Sequence, residues 1–357
     1  MENHRVAIRR CILEIAHAYF ALTYAESYAL ARKAHKSVDQ CIVNLNLESG
    51  SSTSMHMLRD AISTLYPVST KTTVRRESLE KSLQKVAQIW LELSRFLSEE
   101  SESELASLAK AMHFQMLAAL STQRADYDQE SRCLKEALRL VGKTKNRDLE
   151  ERFMILKSFS LAEVLESKNL WDKATSEWMN AYVATLARAQ TGDAGGEHSR
   201  TARLRYYRAL ATSKVHRIRP KKDERLSLEQ ILHIHMWHQE NPTSLHMYRR
   251  LRKSSYETMY VSVYLDPDFV RLLFDQATEN VGSRRVLIKR LGYSDTVNPS
   301  WIQRRLESQK SGLPIFKLRV LCWLAGRDFS VAEENVIRVR TRNKYASRIY
   351  GLSGKYN

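Results

Sequence analysis

The chain has 357 residues, 43% of them hydrophobic and 27% charged, with a formal net charge of +17; this is ordinary usage for globular domains and enough length for two or three of them. Apolar residues come in short periodic clusters with no uninterrupted run of about eighteen, so no membrane-spanning helix is expected. The four cysteines, Cys11, Cys41, Cys133 and Cys322, lie far apart without a CxxC pair, which argues against a zinc ribbon or a disulfide framework and for an intracellular, cytoplasmic chain, nucleoid-associated if prokaryotic.

From the N-terminus, Arg5, Arg9 and Arg10 precede an apolar stretch that superficially resembles a signal peptide. Glu14 and His17 interrupt it, and the spacing of Ile12, Ile15, Ala16 and Phe20 predicts an amphipathic helix instead. No proline lies between Pro67 and Pro220, and that stretch is rich in good helix formers, so helix after helix is expected. Loops rich in Gly, Ser, Thr or Asn are expected at 44–53, 66–73, 142–146 and 191–199.

Two stretches of this half match at an offset of 44 residues: Ala118, Tyr127, Leu134 and Ala137 recur as Ala162, Trp171, Trp178 and Ala181. An aromatic residue opening a helix, with a small residue one face later, resembles the second helix of a tetratricopeptide-like hairpin, although the spacing exceeds that family's repeat. The alternative is a plain antiparallel bundle. Either way, residues 1–200 are expected to be a helical scaffold that binds a protein partner or a second copy of the chain.

The charge excess begins where this scaffold ends. Residues 1–200 hold 27 Lys+Arg against 26 Asp+Glu, whereas residues 201–357 hold 30 against 14. Net charge speaks to partners rather than fold, and this one points to a polyanion approached by the rear half. Residues 201–225 read as a basic linker in which Arg217, Arg219, Lys221 and Lys222 would contact phosphates.

Residues 226–265 then read as a helix, a turn, a second helix bearing Arg249, Arg250, Arg252 and Lys253, and an alternating strand over 259–265. That order suggests a winged-helix-like unit whose four cations face phosphates; a ribbon-helix-helix strand is the other option. His233, His235, His238 and His246 cluster here, but no cysteine or nearby carboxylate completes a ligand set, so neither metal nor cofactor is expected.

Five short helices are predicted between Asp266 and Arg342 from their ends alone. Asp266-Pro267 starts the first and Ser283 caps the second, which stops at Gly292. Asn298-Pro299 starts the third, Pro314 the fourth, and Ser330 with Glu333 forms a capping box for the fifth. The segments RRVLIKRLGY, PSWIQRRLES and LPIFKLRVLCWLAG resemble the supporting, recognition and backing helices of a lambda-repressor-like helix-turn-helix domain of archaeal type, some of which adjoin LAGLIDADG endonuclease modules. The turn over 293–297 is longer than that family's usual tight turn. The resemblance implies that the third helix enters the major groove. With Ile302 and Leu306 facing inward, Ser300, Gln303, Arg304 and Glu307 are expected to face base edges, where Gln matches adenine and Arg guanine. Arg284, Arg285, Lys289, Arg290, Arg305 and Lys310 are expected on phosphates.

Enzyme signatures are missing: there is no GxxxxGK[ST], no GxGxxG after a strand and no HExxH. The string WLAGRDF (323–329) resembles the start of a LAGLIDADG motif but has Val331 where a metal-binding acid belongs. The expected fold class is therefore all-α: a helical-hairpin or bundle domain followed by a helix-turn-helix domain over 266–357, with at most a small β element. The expected function is non-enzymatic binding of duplex DNA in transcriptional regulation. Structural binding of RNA or single strands is the alternative, with Tyr206, Tyr207, Trp237 and Tyr248 as stacking platforms.

Overall fold

A computed structural model describes residues 9–16, 36, 40, 76–189, 196–215, 226–240, 261–294 and 296–341. The described protein is dominated by helices, with one small antiparallel sheet. It forms two compact units, one over Met1–Asn169 with Gly196–His198, the other over Leu170–Gly195 with Ser199–Asn357. No helix among the described residues is long and apolar enough to cross a membrane.

The first unit is built on four helices: α1 (Arg76–Glu99), α2 (Ser103–Gln123), α3 (Tyr127–Val141) and α4 (Arg147–Ser167). Each packs on the next in sequence. In α1, Val86, Ala87, Ile89, Trp90, Leu93 and Leu97 recur at three- and four-residue spacing and are all buried, the pattern that puts one stripe of a helix into a core. Ser94 donates to the Ala106 carbonyl at 2.9 Å, and His113 Nδ1 lies 2.8 Å from that of Ala87, so α1 and α2 are also pinned by polar groups. Residues 11–16 are helical as expected, and Cys11, Ile12, Ile15 and Ala16 are fully buried in this core. Arg9 meets Glu104 through two hydrogen bonds of 2.9 Å.

The 44-residue offset is written into the backbone as well as the side chains. Helices α2 and α4 start at 103 and 147 and end at 123 and 167. The next pair, α3 and α5 (Trp171–Ala189), start at 127 and 171. The non-glycine residues with positive φ repeat too: Ser101 with Lys145, and Ala125 with Asn169. After α2, Ala125 N–H bonds the Thr122 carbonyl and Asp126 N–H that of Ser121, a left-handed helix stop that satisfies the last carbonyls. Asp126 then accepts from Gln129 N–H and opens α3, so one turn ends one helix and starts the next.

The second unit contains α5, α6 (Gly196–Ser213) from Ser199 onward and α7 (Leu228–Glu240), then β1 (Val261–Leu265), α8 (Pro267–Val281), α9 (Arg284–Arg290), α10 (Pro299–Glu307), β2 (Leu313–Pro314), α11 (Ile315–Leu324), α12 (Phe329–Glu334) and β3 (Val336–Thr341). Helix α5, read from sequence as scaffold, is part of this unit: Tyr182 stacks at 5.7 Å on Phe316 of α11, and Asn180 accepts from Arg319. The segment expected to be a basic linker from 201 is helical to Ser213. Its Tyr206 hydroxyl lies 3.0 Å from His233 Nδ1 on α7, with both side chains buried.

The sheet order is β2-β1-β3, antiparallel throughout. Val263 pairs with Leu313 on one side and Val339 on the other, with a bulge between Tyr264 and Leu265. Two expectations are corrected. The strand over 261–265 is not a lone wing closing an upstream unit; it opens the helical domain that follows and is its central strand. The fifth helix ends at Glu334, and residues 336–341 are a strand. The cap of that helix is Asp328, which accepts from the Ser330 N–H and hydroxyl, in place of the expected Ser330–Glu333 box.

Gly312, just before β2, is fixed by packing. A Cβ there would lie 2.7 Å from the Tyr264 ring and 2.8 Å from Ser262 Cβ, and the latter moves only with the backbone of β1. Gly312→Ala is expected to cost about 1–3 kcal/mol, read as faster amide exchange in β1 than in wild type.

Candidate nucleic-acid interface

Helix α8 is the post on which the rest of this domain is hung, since α9, α10 and α11 all pack against it. Its start is set by Asp266, whose carboxylate accepts from Asp268 N–H at 2.9 Å and Phe269 N–H at 3.2 Å. It stops at Gly282, with φ of 88°, a left-handed conformation in which glycine has no Cβ penalty. Ser283 caps α9 through Val286 N–H at 3.2 Å, and Leu287 and Ile288 bury one side of that short helix.

The turn between α9 and α10 is long but braced. Lys317 of α11 donates to the Gly292 carbonyl at 3.3 Å and places its ammonium 3.3 Å from the centre of the Tyr293 ring. Burial pulls the Lys317 amine down to about 8. Asn298 then accepts from Ser300 N–H at 3.0 Å and starts α10.

On α10, Ile302 and Leu306 are buried as expected, but Gln303 is buried with them, only 7% exposed. Its amide donates to Glu307 Oε1 at 2.9 Å, and that carboxylate lies 3.6 Å from Arg271 Nε on α8. Gln303 therefore cannot meet a base edge, and Glu307 is engaged in holding α10 to α8. Both are corrected from base reading to bracing. Ser300 is half-buried and Arg304 is exposed, so of the four expected readers Arg304 is the best presented.

The outward face of α10 is instead Trp301, Arg304, Arg305 and Ser308, at i, i+3, i+4 and i+7, the spacing of one helical stripe. Trp301 is 55% exposed and the only aromatic among the large exposed hydrophobic residues described. The Arg305 guanidinium lies 4.8 Å from the centre of its ring. Sequence reasoning missed Trp301 because an apolar residue beside Ile302 is taken for core; the signal was its position on the far side of the helix from Leu306.

The expected phosphate contacts divide. Arg285, Lys289 and Lys310 are exposed, and Arg290 is half-buried. Arg284 is exposed but pairs with Asp275 at 3.2 Å. Two further cations come from the unexpected strand: Arg340 is exposed, and Arg338 lies 4.1 Å from the centre of the Tyr264 ring. Arg217, Arg219, Lys221, Lys222, Arg249, Arg250, Arg252 and Lys253 lie outside the described residues, as do Tyr248 and His246.

Of the expected stacking platform only Tyr206 is corrected, and Trp237 is half-buried. Tyr206 is fully buried against His233, and Tyr207 is half-buried with its hydroxyl on the Met236 carbonyl at 3.4 Å. His233 and His235 are core residues, and among the described residues no group of three or more His, Cys, Asp or Glu side chains is placed to hold a metal ion. No protein family, curated protein or solved structure matches this chain.

Proposed function

We propose that this chain binds duplex DNA through a lambda-repressor-like helix-turn-helix, α9–α10, and acts in transcriptional regulation rather than catalysis. The observation that carries this reading is the outward stripe of α10: two arginines, an indole and a serine, with Glu307, the one acid of the helix, drawn back toward α8. A nine-residue helix is roughly 13 Å long, and the major groove admits such a helix with its side chains on base edges. Arg304 is the guanine reader in this proposal. Lys289, Arg285 and Lys310 hold phosphates and set the register without reading sequence. The front unit is left for a protein partner or a second copy of the chain, which would supply the second half-site that a short reading helix needs.

The test is a competition titration of the full chain against random duplex, random single strand and RNA at two salt levels. Duplex is expected to win, with affinity falling steeply as salt rises. Arg304→Ala is expected to weaken the preferred sequence by about 1–3 kcal/mol and relax choice at one position, whereas Lys289→Ala weakens all sequences alike and lowers the salt slope by about one. Equal losses on every sequence for both variants would count against groove reading.

A further inference from the structure

The structure assigns Trp301 a reading role of its own: the indole packs on the 5-methyl group of thymine in the major groove, so that α10 distinguishes DNA from RNA and from uracil-substituted DNA. This rests on the duplex-binding proposal and names the ligand chemistry at that site.

The Trp301 side chain gives up burial by being where it is. A tryptophan is large and mostly apolar, and leaving it half in water forfeits burial that Trp90 and Trp178 obtain in full. A single exposed hydrophobic residue is common enough to need no explanation by itself. This one, however, lies in the first turn of α10, on the same stripe as Arg304, with a guanidinium already seated on it. The ring is held by that cation–π contact, so its orientation is set before any ligand arrives.

The same contact limits what the ring can take. Arg305 covers one face at 4.8 Å, leaving a single face and the edge. Insertion between two unstacked bases needs both faces and would displace the arginine. A methyl group needs only one. In the major groove thymine alone among the four bases presents a methyl, beside its O4 acceptor. With Arg304 one turn further along the stripe, the pair suits a thymine next to a guanine.

The experiment selects tight binders from a random-sequence duplex library with the full wild-type chain, then resynthesises them with deoxyuridine in place of thymidine. Wild type is expected to lose about fourfold in affinity per contacted methyl. Trp301→Ala is expected to bind the thymidine duplexes more weakly and to treat thymidine and deoxyuridine versions alike, while Trp301→Phe keeps part of the difference. Arg304→Ala keeps the thymidine preference while losing choice at its own position. Since Trp301 is exposed, its variants should match wild type in thermal unfolding.

If wild type binds both versions equally while Arg304→Ala still relaxes base choice, the duplex reading stands and the methyl assignment falls. Recovery of no duplex at all removes both. Tighter binding to mismatched or bulged duplex that depends on Trp301 overturns methyl contact in favour of stacking on an unpaired base.

Discussion

Glu130→Gln is expected to stabilise the first unit by about 3 kcal/mol at pH 8 and to leave it nearly unchanged below pH 4.5. Glu130 is buried where α2, α3 and α4 meet, and burial raises its carboxyl from the ordinary 4.5 to about 7. That value is the net of burial and the nearby charge of Glu163, which raise it, and of the hydroxyls of Thr122 and Ser160, which oppose the rise. An acid that holds its proton more tightly when folded favours the folded state below its unfolded value. That contribution is lost as pH rises from about 4.5 through about 7, after which the carboxylate is carried into the core as a charge. Glutamine keeps the shape and cannot ionise, so the pH dependence disappears with the destabilisation. The corresponding position in the second copy of the 44-residue offset is Ala174, neutral and fully buried. Amide exchange in α2–α4, followed at pH 5 and pH 8, reads the effect in this unit alone. A wild-type unit equally protected at both pH values would overturn it.

What could be read from the chain in advance was what neighbours in sequence decide. Asp266-Pro267, Ser283 and Asn298 fix helix starts through hydrogen bonds spanning two or three residues, so local pattern suffices. The 44-residue offset was legible for the same reason, since the length of α2 and of the turn after it repeats in α4 and its turn. The fold class followed from proline-free, Ala- and Leu-rich helices.

The features that escaped notice depend on partners far along the chain. Strand β3 pairs with β1 more than seventy residues earlier, and VIRVRT following a short helix reads as a helical tail until its partner is known. The rotation of α10 is another case. Ile302 and Leu306 define an inward side but leave about one residue of rotation open. The Gln303–Glu307–Arg271 chain closes it, taking Gln303 inward and Trp301 outward. The place of α5 in the second unit escaped because charge balance records what a surface attracts, not what packs on what.

Arg319 makes that packing testable, and Arg319→Ala is expected to destabilise the second unit by about 2–3 kcal/mol, below the full cost of breaking a buried ion pair because part of its charge partner is in water. From α11 the guanidinium donates to Asn180 of α5, lies 4.7 Å from the centre of the Phe329 ring at the start of α12, and faces the Glu229 carboxylate of α7. Four helices thus meet on one side chain. Glu229 is held down to about 2, chiefly by His233, whose Nε2 lies 3.7 Å from its carboxylate, with Ser176 and the charge of Arg319 contributing. Its side chain is 41% exposed, so screening by water limits what the charge pair alone supplies; the larger losses are the amide oxygen left without its donor and the packing of the stem. A carboxylate held low stabilises the fold above its unfolded value and loses that contribution as pH falls from about 4.5 toward 2. The acid unfolding of Arg319→Ala should therefore be shallower over that window than in wild type. Lysine should not restore stability, since an ammonium cannot reach Asn180 and cover Phe329 in the same plane. Asn180→Ala should add little to Arg319→Ala, because both remove the same bond. Additive losses from these two substitutions, or full rescue by lysine, would mean that α5 is held to α11 by apolar contacts such as Tyr182 on Phe316 and not by the guanidinium.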